Sequence, residues 1–399
     1  MKRKDFLRNT IPAAILPSLV DGMSFKVLGD NPIMAAMLNA YVETDRVLVI
    51  IQLNGGNDGL NTVIPLDQYS NYFNARSNIA IPQNRVLTLT GTAATGLHSS
   101  MGGIQSMYNE GKVRLVHSVG YPNPNFSHFR ATDIWMSASD SNVQINNGWA
   151  GRYLNDQYPN YPAGYPNTQM PDPLGIQIGS STSLTFQGPS VNMGISITSA
   201  TNFYNLINGI QDPAPATPAG DALKYVRLVA QQSNQYSTRI VAAANTVPTQ
   251  GTYPANNTLA DQLKIVARLI KGGLKTRVYM VSLGGFDTHS IQTNTDTTTG
   301  THATLMQRLS DAIRAFQNDL IGLGIEDRVM GMTFSEFGRR VKSNASVGTD
   351  HGAAAPLFLF GKKVNPGILG VNPTIPAAAT VNDNVPMQYD FRSIYASVL

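Results

Sequence analysis

Residues 46–59 read RVLVIIQLNGGNDG, an apolar run that ends in a loop of Gly, Asn and Asp. No polar residue interrupts positions 47–51, so the run predicts a strand buried on both faces, as in a parallel sheet covered by helices. Proteins with such sheets bind their ligands beyond the carboxyl ends of the strands. Asp58, just past the run, is therefore a candidate for chemistry.

The rest of the chain repeats this strand pattern and alternates it with helical spacing. Further strands are predicted at 112–119, 277–283, 328–334 and 356–360, and helices near 97–110, 221–244, 258–271 and 303–320. This alternation indicates an α/β fold, layered, with a largely parallel central sheet flanked by helices. We expect one domain over 25–399. A segment rich in Pro, Gly and Asn at about 155–218 is predicted to be an insertion or cap, with short strands at 174–178 and 183–186.

The first 24 residues predict an export signal. They begin with a basic stretch and continue into a short apolar stretch. The hexapeptide RKDFLR at 3–8 resembles the twin-arginine signal, with Lys4 where the second Arg usually stands, so the twin-arginine and general routes both remain open. We expect an exported protein of the periplasm or cell surface. No other apolar run approaches the roughly 20 residues of a membrane span.

Composition excludes several classes of function. The 399 residues include no cysteine, which rules out disulfides, thiolate metal sites and a Cys-derived nucleophile. The net charge of +4 has no concentrated basic block outside the N-terminus, so we expect no nucleic-acid partner. The G-x-S-x-G, G-x-G-x-x-G and P-loop patterns are all absent from the sequence.

Acidic residues follow three predicted strands. Asp58, Asp287 and Glu336 would gather at one edge of a parallel sheet, where carboxylates repel one another unless cations neutralise them. Histidines lie in the same kind of loop, and mixed carboxylate and imidazole ligands favour zinc, manganese or iron. We expect one or two divalent ions, most simply zinc or manganese, with the ligands Asp58, Asp287, His289, Glu336, Asp350 and His351. The alternative is that each acidic residue only caps a helix. For His302, the roles of ligand and cap both remain open.

The segment Ser127-His128-Phe129-Arg130 lies between a predicted strand and a helix. A serine there could be a nucleophile activated by a metal ion. Arg130 could hold two oxygens of a phosphate or sulfate group through its planar fork. The three polar residues of this segment are thus candidate catalytic residues. The alternative is a Ser127 helix cap with Arg130 in a surface ion pair.

Six segments together resemble the exported bacterial family called domain of unknown function 1501, whose members are often described as sulfatase-like. They are LNGGNDGLNTVIP (53–65), YPNPNFSHFRATDIW (121–135), GWAGRYL (148–154), GGFDTHS (284–290), MTFSEFGRR (332–340) and GTDHGAAAPLFLFG (348–361). The resemblance runs along the whole chain. That family is similar to the alkaline phosphatase superfamily, so the resemblance implies two metal ions at the carboxyl edge of the sheet.

The same resemblance assigns roles to individual residues. Asp58 resembles the acidic ligand after the first strand, and Ser127 stands roughly at the nucleophile. Asp287 with His289 resembles the ligand pair of one metal ion, and His351 the last His ligand. Glu336 replaces an Asp ligand, while Phe337 stands where a His is usual, so Asp350 or His302 would have to substitute. The sulfatase signature around the nucleophile is absent.

Two functions of different class follow from the sequence. The first is an exported metal-dependent hydrolase of a phosphate or sulfate ester, which would act on a small-molecule or polymer substrate. The second is a non-catalytic exported protein that uses the same scaffold for binding or assembly with a protein partner. Phe337 and the missing nucleophile signature favour the second function, while the convergence of carboxylates and histidines favours the first.

Overall fold

The computed structural model describes residues 45–200 and 217–399, and within 221–233 it describes only the side chains of Leu223 and Gln232. The predicted export signal, residues 1–24, lies outside these residues and stays a prediction. The strands are β1 Val47–Asn54, β2 Val63–Pro65, β3 Leu87–Leu89, β4 Thr92–Leu97, β5 Val113–Gly120, β6 Gly175–Ile178, β7 Gly194–Ile197, β8 Val278–Gly284, β9 Val329–Phe334, β10 Ala355–Phe360, β11 Gly367–Leu369 and β12 Tyr389–Asp390.

The helices alternate with these strands over much of the chain. They are α1 Gly59–Thr62, α2 Tyr69–Ala75, α3 Gly102–Asn109, α4 His128–Ser137, α5 Trp149–Gln157, α6 Pro218–Asn245, α7 Thr258–Lys271, α8 Thr301–Gly322 and α9 Phe391–Val398. Among the described residues, no helix combines the length and the apolar character that crossing a bilayer requires.

The main sheet has the strand order β11-β5-β10-β9-β1-β8-β6-β7, with β12 also paired to β5. β1 lies at its centre, parallel to both β8 and β9. β10 alone runs against its neighbours, antiparallel to β5 and to β9. The predicted α/β fold with a largely parallel sheet is therefore confirmed. Because β10 is reversed, its first residues lie at the edge where β1, β5, β8 and β9 end.

Helices cover both faces of the sheet, which explains the uninterrupted apolar run of β1. Val49 and Ile51 pack on one face with residues of α3, α7 and α8. Leu48 and Ile50 pack on the other face with residues of α4, α5 and α9. Successive side chains of a strand point to opposite faces, so a strand between two helical layers needs apolar residues at every position.

The segment 155–218 contributes to the main sheet in its described part. β6 pairs in parallel with β8, and β7 extends the sheet beyond β6. The strand predicted at 174–178 is confirmed as β6, but the one predicted at 183–186 is wrong. That stretch contains a short 3-10 helix, Leu184–Phe186, whose Phe186 is buried against Gly175 and Gly194. The division into a main domain and an insertion stays a prediction.

Candidate metal centre

The candidate site lies at the carboxyl edge of the sheet, where loops next to four strands meet. β5 leads to His128 at the start of α4, β8 leads to Asp287, and β9 leads to Glu336. His351 arrives from the opposite direction, just before the reversed strand β10. Residues far apart in sequence are brought together because parallel strands end at a common edge.

Three side chains offer ligand atoms to one point: His128, Asp287 and His351 lie with one ligand atom each within 4.8 Å of the others. His128 Nε2 lies 3.5 Å from Asp287 Oδ2. His351 Nε2 lies 3.6 Å from Asp287 Oδ1. Tetrahedral ligands about 2.1 Å from a zinc ion are roughly 3.4 Å apart. The spacing therefore suits three ligands of a single ion.

The hydrogen bonds of the two imidazoles strengthen this interpretation. His128 Nδ1 lies 2.9 Å from Glu336 Oε1, which also accepts the Gly55 amide, so Nδ1 carries the hydrogen. His351 Nδ1 donates to the Phe126 carbonyl at 2.7 Å. Each ring then turns its Nε2 toward the Asp287 carboxylate, and His351 Nε2 is buried without a partner. Lone pairs that face a carboxylate repel it unless a cation lies between them, so the donor set fits a metal ion.

Glu336 contacts His128 and is not one of the three residues whose ligand atoms meet. Its side chain is fully buried, and Oε1 accepts hydrogen bonds from the Gly55 amide and from His128 Nδ1, each at 2.9 Å. A carboxylate in this position fixes the ring orientation and raises the basicity of the opposite nitrogen. Glu336, which the sequence predicts as a ligand, therefore contacts the metal cluster through His128.

Asp287 is held by a buried guanidinium. Arg339 Nη2 donates to Oδ1 at 2.8 Å, and the same arginine also donates to the Gly56 and Thr349 carbonyls. Partial burial raises the pKa of Asp287, but Arg339 and then His289 outweigh it and bring the pKa to about 2. The carboxylate is therefore ionised at any physiological pH.

His289 borders the cluster as a neighbour of Asp287. Its Nδ1 lies 2.5 Å from Asp287 Oδ1 and 3.3 Å from Arg339 Nη1. A single nitrogen cannot both donate and accept, and the shorter contact to a carboxylate assigns the hydrogen to Nδ1. Its ring packs edge-on against His351, with centroids 4.4 Å apart. Burial lowers the pKa of His351; the hydrogen bond to the Phe126 carbonyl opposes this shift, and the nearby Arg339 charge adds to it.

Asp58 is engaged elsewhere, in a buried ion pair. Both of its oxygens lie 2.8 Å from Arg76 Nη1, and Gln292 donates to Oδ2 at 2.6 Å. Burial raises the pKa of Asp58. The charges of Arg76 and then His302 lower it by more than burial raises it, so the net shift is downward. With its oxygens bound by side chains of the protein, Asp58 is not among the three residues whose ligand atoms meet.

The other predicted site residues lie around the cluster. Ser127 is exposed beside His128, and its side chain makes no capping hydrogen bond. Arg130 Nη2 donates to the carbonyls of Asp140, Ser141 and Val143, which ties α4 to the loop that follows it. Asp350 is exposed, and Oδ1 accepts from Asn344.

Two more of the named side chains are buried. Phe337 packs its ring against His128 and His351, with centroids 4.9 and 4.4 Å away, and forms an apolar wall of the site. His302 is buried beneath the site, with Nε2 3.3 Å from Asn57 Oδ1. Burial lowers the pKa of His302 to about 4.

Sequence reasoning missed two arginines that organise the site, Arg76 and Arg339, both with fully buried side chains. For Arg339 a signal existed, because it follows Glu336 by three residues in a loop where charges were expected. Nothing in the sequence around Arg76 distinguishes it from a surface arginine, since its partner Asp58 is 18 residues away.

Several solved structures are similar to this one. A protein in the alkaline phosphatase superfamily from Vibrio parahaemolyticus has a TM-score of 0.36 and 9% identity, over 84% of this chain and 64% of that chain. Ps i-CgsB in complex with k-i-k-neocarrahexaose has a TM-score of 0.35 and 11% identity, over 82% and 68%. A protein from the metabolism of multiple glycosaminoglycans by Bacteroides thetaiotaomicron has a TM-score of 0.37 and 9% identity, over 81% and 69%.

At these TM-scores, the roles of the residues rest on the chain's own geometry. No curated protein matches the sequence. A family match covers residues 45–393, which include every segment on which the resemblance rests. The chain therefore belongs to the family described as "Protein of unknown function (DUF1501)".

Proposed function

We propose that this protein is an exported metal-dependent hydrolase of a phosphate or sulfate ester, with the ion held by His128, Asp287 and His351. The observation that carries the proposal is the orientation of the two imidazoles. Their Nδ1 hydrogens are committed to Glu336 and to the Phe126 carbonyl, which leaves both Nε2 atoms facing Asp287. This arrangement supports one ion per chain, since Asp58 is neutralised by Arg76.

Two nitrogens and a carboxylate oxygen suit zinc or manganese, and three protein ligands leave coordination positions for water and substrate. A divalent ion in such a site supplies Lewis acidity, which polarises an ester oxygen and lowers the pKa of a bound water. Asp287 and His128 are partly exposed, with half and one third of their side-chain surface accessible, so a substrate can reach them.

The protein's own groups would carry the proton and the nucleophile. His289 contacts Asp287 through Nδ1 and is partly exposed, so its Nε2 would be the group that takes the proton from the nucleophile and passes it to the leaving alcohol. Ser127 presents an exposed hydroxyl next to His128 and would attack the phosphorus or sulfur atom, which expels the alcohol and leaves a seryl ester that water then hydrolyses. A water molecule is the alternative nucleophile, and Ser127→Ala separates the two: a loss of several hundred-fold or more in kcat supports attack by serine.

The test is elemental analysis together with an ester screen. The mature protein, incubated with zinc or manganese and then desalted, should retain about one equivalent of metal and hydrolyse 4-nitrophenyl phosphate or sulfate. Asp287→Ala and His351→Ala should lose both metal and activity. Asp350→Asn, which changes an exposed carboxylate outside the cluster, should lose neither. Hydrolysis that persists in metal-free Asp287→Ala would overturn the proposal.

A second candidate function is a non-catalytic exported binding protein on the same scaffold. The observation that favours it is the engagement of the nearby arginines. Arg130 and Arg339 both donate to backbone carbonyls, so neither presents an open guanidinium fork to a substrate anion. Stoichiometric metal without turnover of any phosphate or sulfate ester would favour this function.

A further inference from the structure

Two large apolar side chains are exposed in the segments that carry the metal cluster. Phe129 directly follows the ligand His128, and its surface is 86% exposed. Ile291 lies two residues after His289, and its surface is 69% exposed. We call these two residues the apolar rim. An exposed apolar side chain adds little to folding, because it buries almost no surface.

The backbone of Ile291 is strained as well. Its φ is +49°, in the left-handed region that β-branched residues rarely adopt. Neighbouring loops hold it there: its amide donates to the Ser346 carbonyl at 2.9 Å, and the Gln292 amide donates to the Val347 carbonyl at 2.8 Å. Val347 has a φ of +58° and is also β-branched. Gly or Asn would adopt this conformation more easily, so Ile291 lowers stability through its backbone without gaining burial in return.

Strain at an exposed residue next to a reactive site is a signature of a functional constraint. Phe129 is tied to the cluster through its neighbour in the chain. His128 turns inward between Phe337 and His351, and the Phe129 side chain that follows it lies in solvent. Both rim residues thus extend from segments that the ligands themselves hold in place.

We propose that Phe129 and Ile291 bind the non-reacting part of the substrate, an organic group with a flat apolar face next to the ester. This inference rests on the proposed function. An aryl ring and the C–H face of a sugar ring share this chemistry, and both can pack against a phenyl ring and an aliphatic side chain. The rim then selects substrates by the group that the ester links, while the metal cluster contacts the phosphate or sulfate itself.

The test measures binding rather than turnover, on zinc-loaded full-length mature protein. Calorimetry compares phenylphosphonate and the non-hydrolysable phosphonate analogue of glucose 6-phosphate with methylphosphonate, which has no flat apolar face. We expect either phenylphosphonate or the sugar phosphonate to bind about tenfold more tightly than methylphosphonate, a typical gain for added apolar contact. Which of the two binds tightly identifies the aryl or the sugar source.

The variants are Phe129→Ala and Ile291→Asn. Each should reduce the tenfold advantage to about threefold or less and leave methylphosphonate affinity unchanged. Because Asn tolerates a positive φ, Ile291→Asn should keep or raise the melting temperature, which separates loss of binding from loss of folding. The matched control is Val371→Asn, another β-branched residue, 71% exposed, which should change no affinity.

The outcomes distinguish the two proposals. Equal affinities of the wild type for all three compounds would overturn the role of the apolar rim but not the proposed ester site. The same holds if both variants keep the tenfold advantage over methylphosphonate. Retained zinc with no binding of any compound would overturn the proposed ester site, and the rim with it.

Discussion

At the scale of single residues, Glu336 shows how a carboxylate can act without touching the ion. Replacing it by Gln keeps an oxygen for the Gly55 amide and His128 Nδ1 but removes the charge that orients the ring. We expect zinc affinity to fall about 10-fold to 100-fold, the usual cost of losing such a partner, with little change in melting temperature. Competition with a chromophoric chelator measures the affinity.

The matched control for that prediction is Glu110→Gln. Glu110 is also a Glu, but its partners are Arg314 and Lys112 at the protein surface. Its replacement should leave zinc affinity at the wild-type value. Equal affinities for Glu336→Gln and Glu110→Gln would show that Glu336 does not act through His128.

The ion pair between Asp58 and Arg76 has a different consequence, for stability. Both side chains are almost fully buried, so Arg76→Met would leave an uncompensated charge in the interior. The free energy of unfolding should fall by about 3–5 kcal/mol, and Asp58→Asn in the Arg76→Met background should restore part of it. Urea unfolding checks both values. A loss below about 1 kcal/mol in the single variant would contradict this account.

At the scale of the elements, the loop after β8 and the loop before β10 are packed backbone against backbone. A Cβ on Gly348 would lie 2.3 Å from the carbonyl oxygen of His289, with no flexible side chain to move aside. Gly348→Ala should therefore displace the loops that carry Asp287 and His351 and lower zinc affinity at least about 10-fold. Gly322→Ala, where a Cβ meets nothing within 4 Å, should be neutral in the same chelator titration and thermal melt.

At the scale of the whole molecule, buried histidines make stability depend on pH. Burial lowers the pKa of His302 and of His117 to about 4, and that of His98 to about 3. The unfolded chain takes up these protons near pH 6.5, before the folded chain does, so the free energy of unfolding should fall as pH decreases from 6.5 toward 4. For His117 the loss should be about 2 kcal/mol at pH 5, since one pKa unit corresponds to about 1.4 kcal/mol.

Urea unfolding of the wild type and of His117→Gln at pH 7 and pH 5 tests this dependence. Because Gln does not titrate, the variant should lose less stability between the two values than the wild type. His117 lies in β5, away from the predicted ligands, so the change should not disturb the metal cluster. Identical losses in both proteins would show that His117 is not held neutral by burial.

The sequence by itself determined the α/β class, the central strand β1 and the position of Asp287 just after a strand of that sheet. These follow from local patterns, because apolar runs and helical spacing reflect burial along a few neighbouring residues. The family match agrees with the motifs in the loops. The stretch 183–186 forms the short 3-10 helix Leu184–Phe186 instead of the predicted strand, since a four-residue apolar pattern does not distinguish the two.

Only the tertiary structure decided which side chains meet. His128 and Glu336 are 208 residues apart, and their contact depends on the order of β5, β10, β9 and β1 in the sheet. The reversal of β10 brings His351 to the cluster, and buried Arg76 withdraws Asp58 from it. Such contacts depend on packing between distant segments and on the pairing of buried charges, which leave no periodic signal in the sequence.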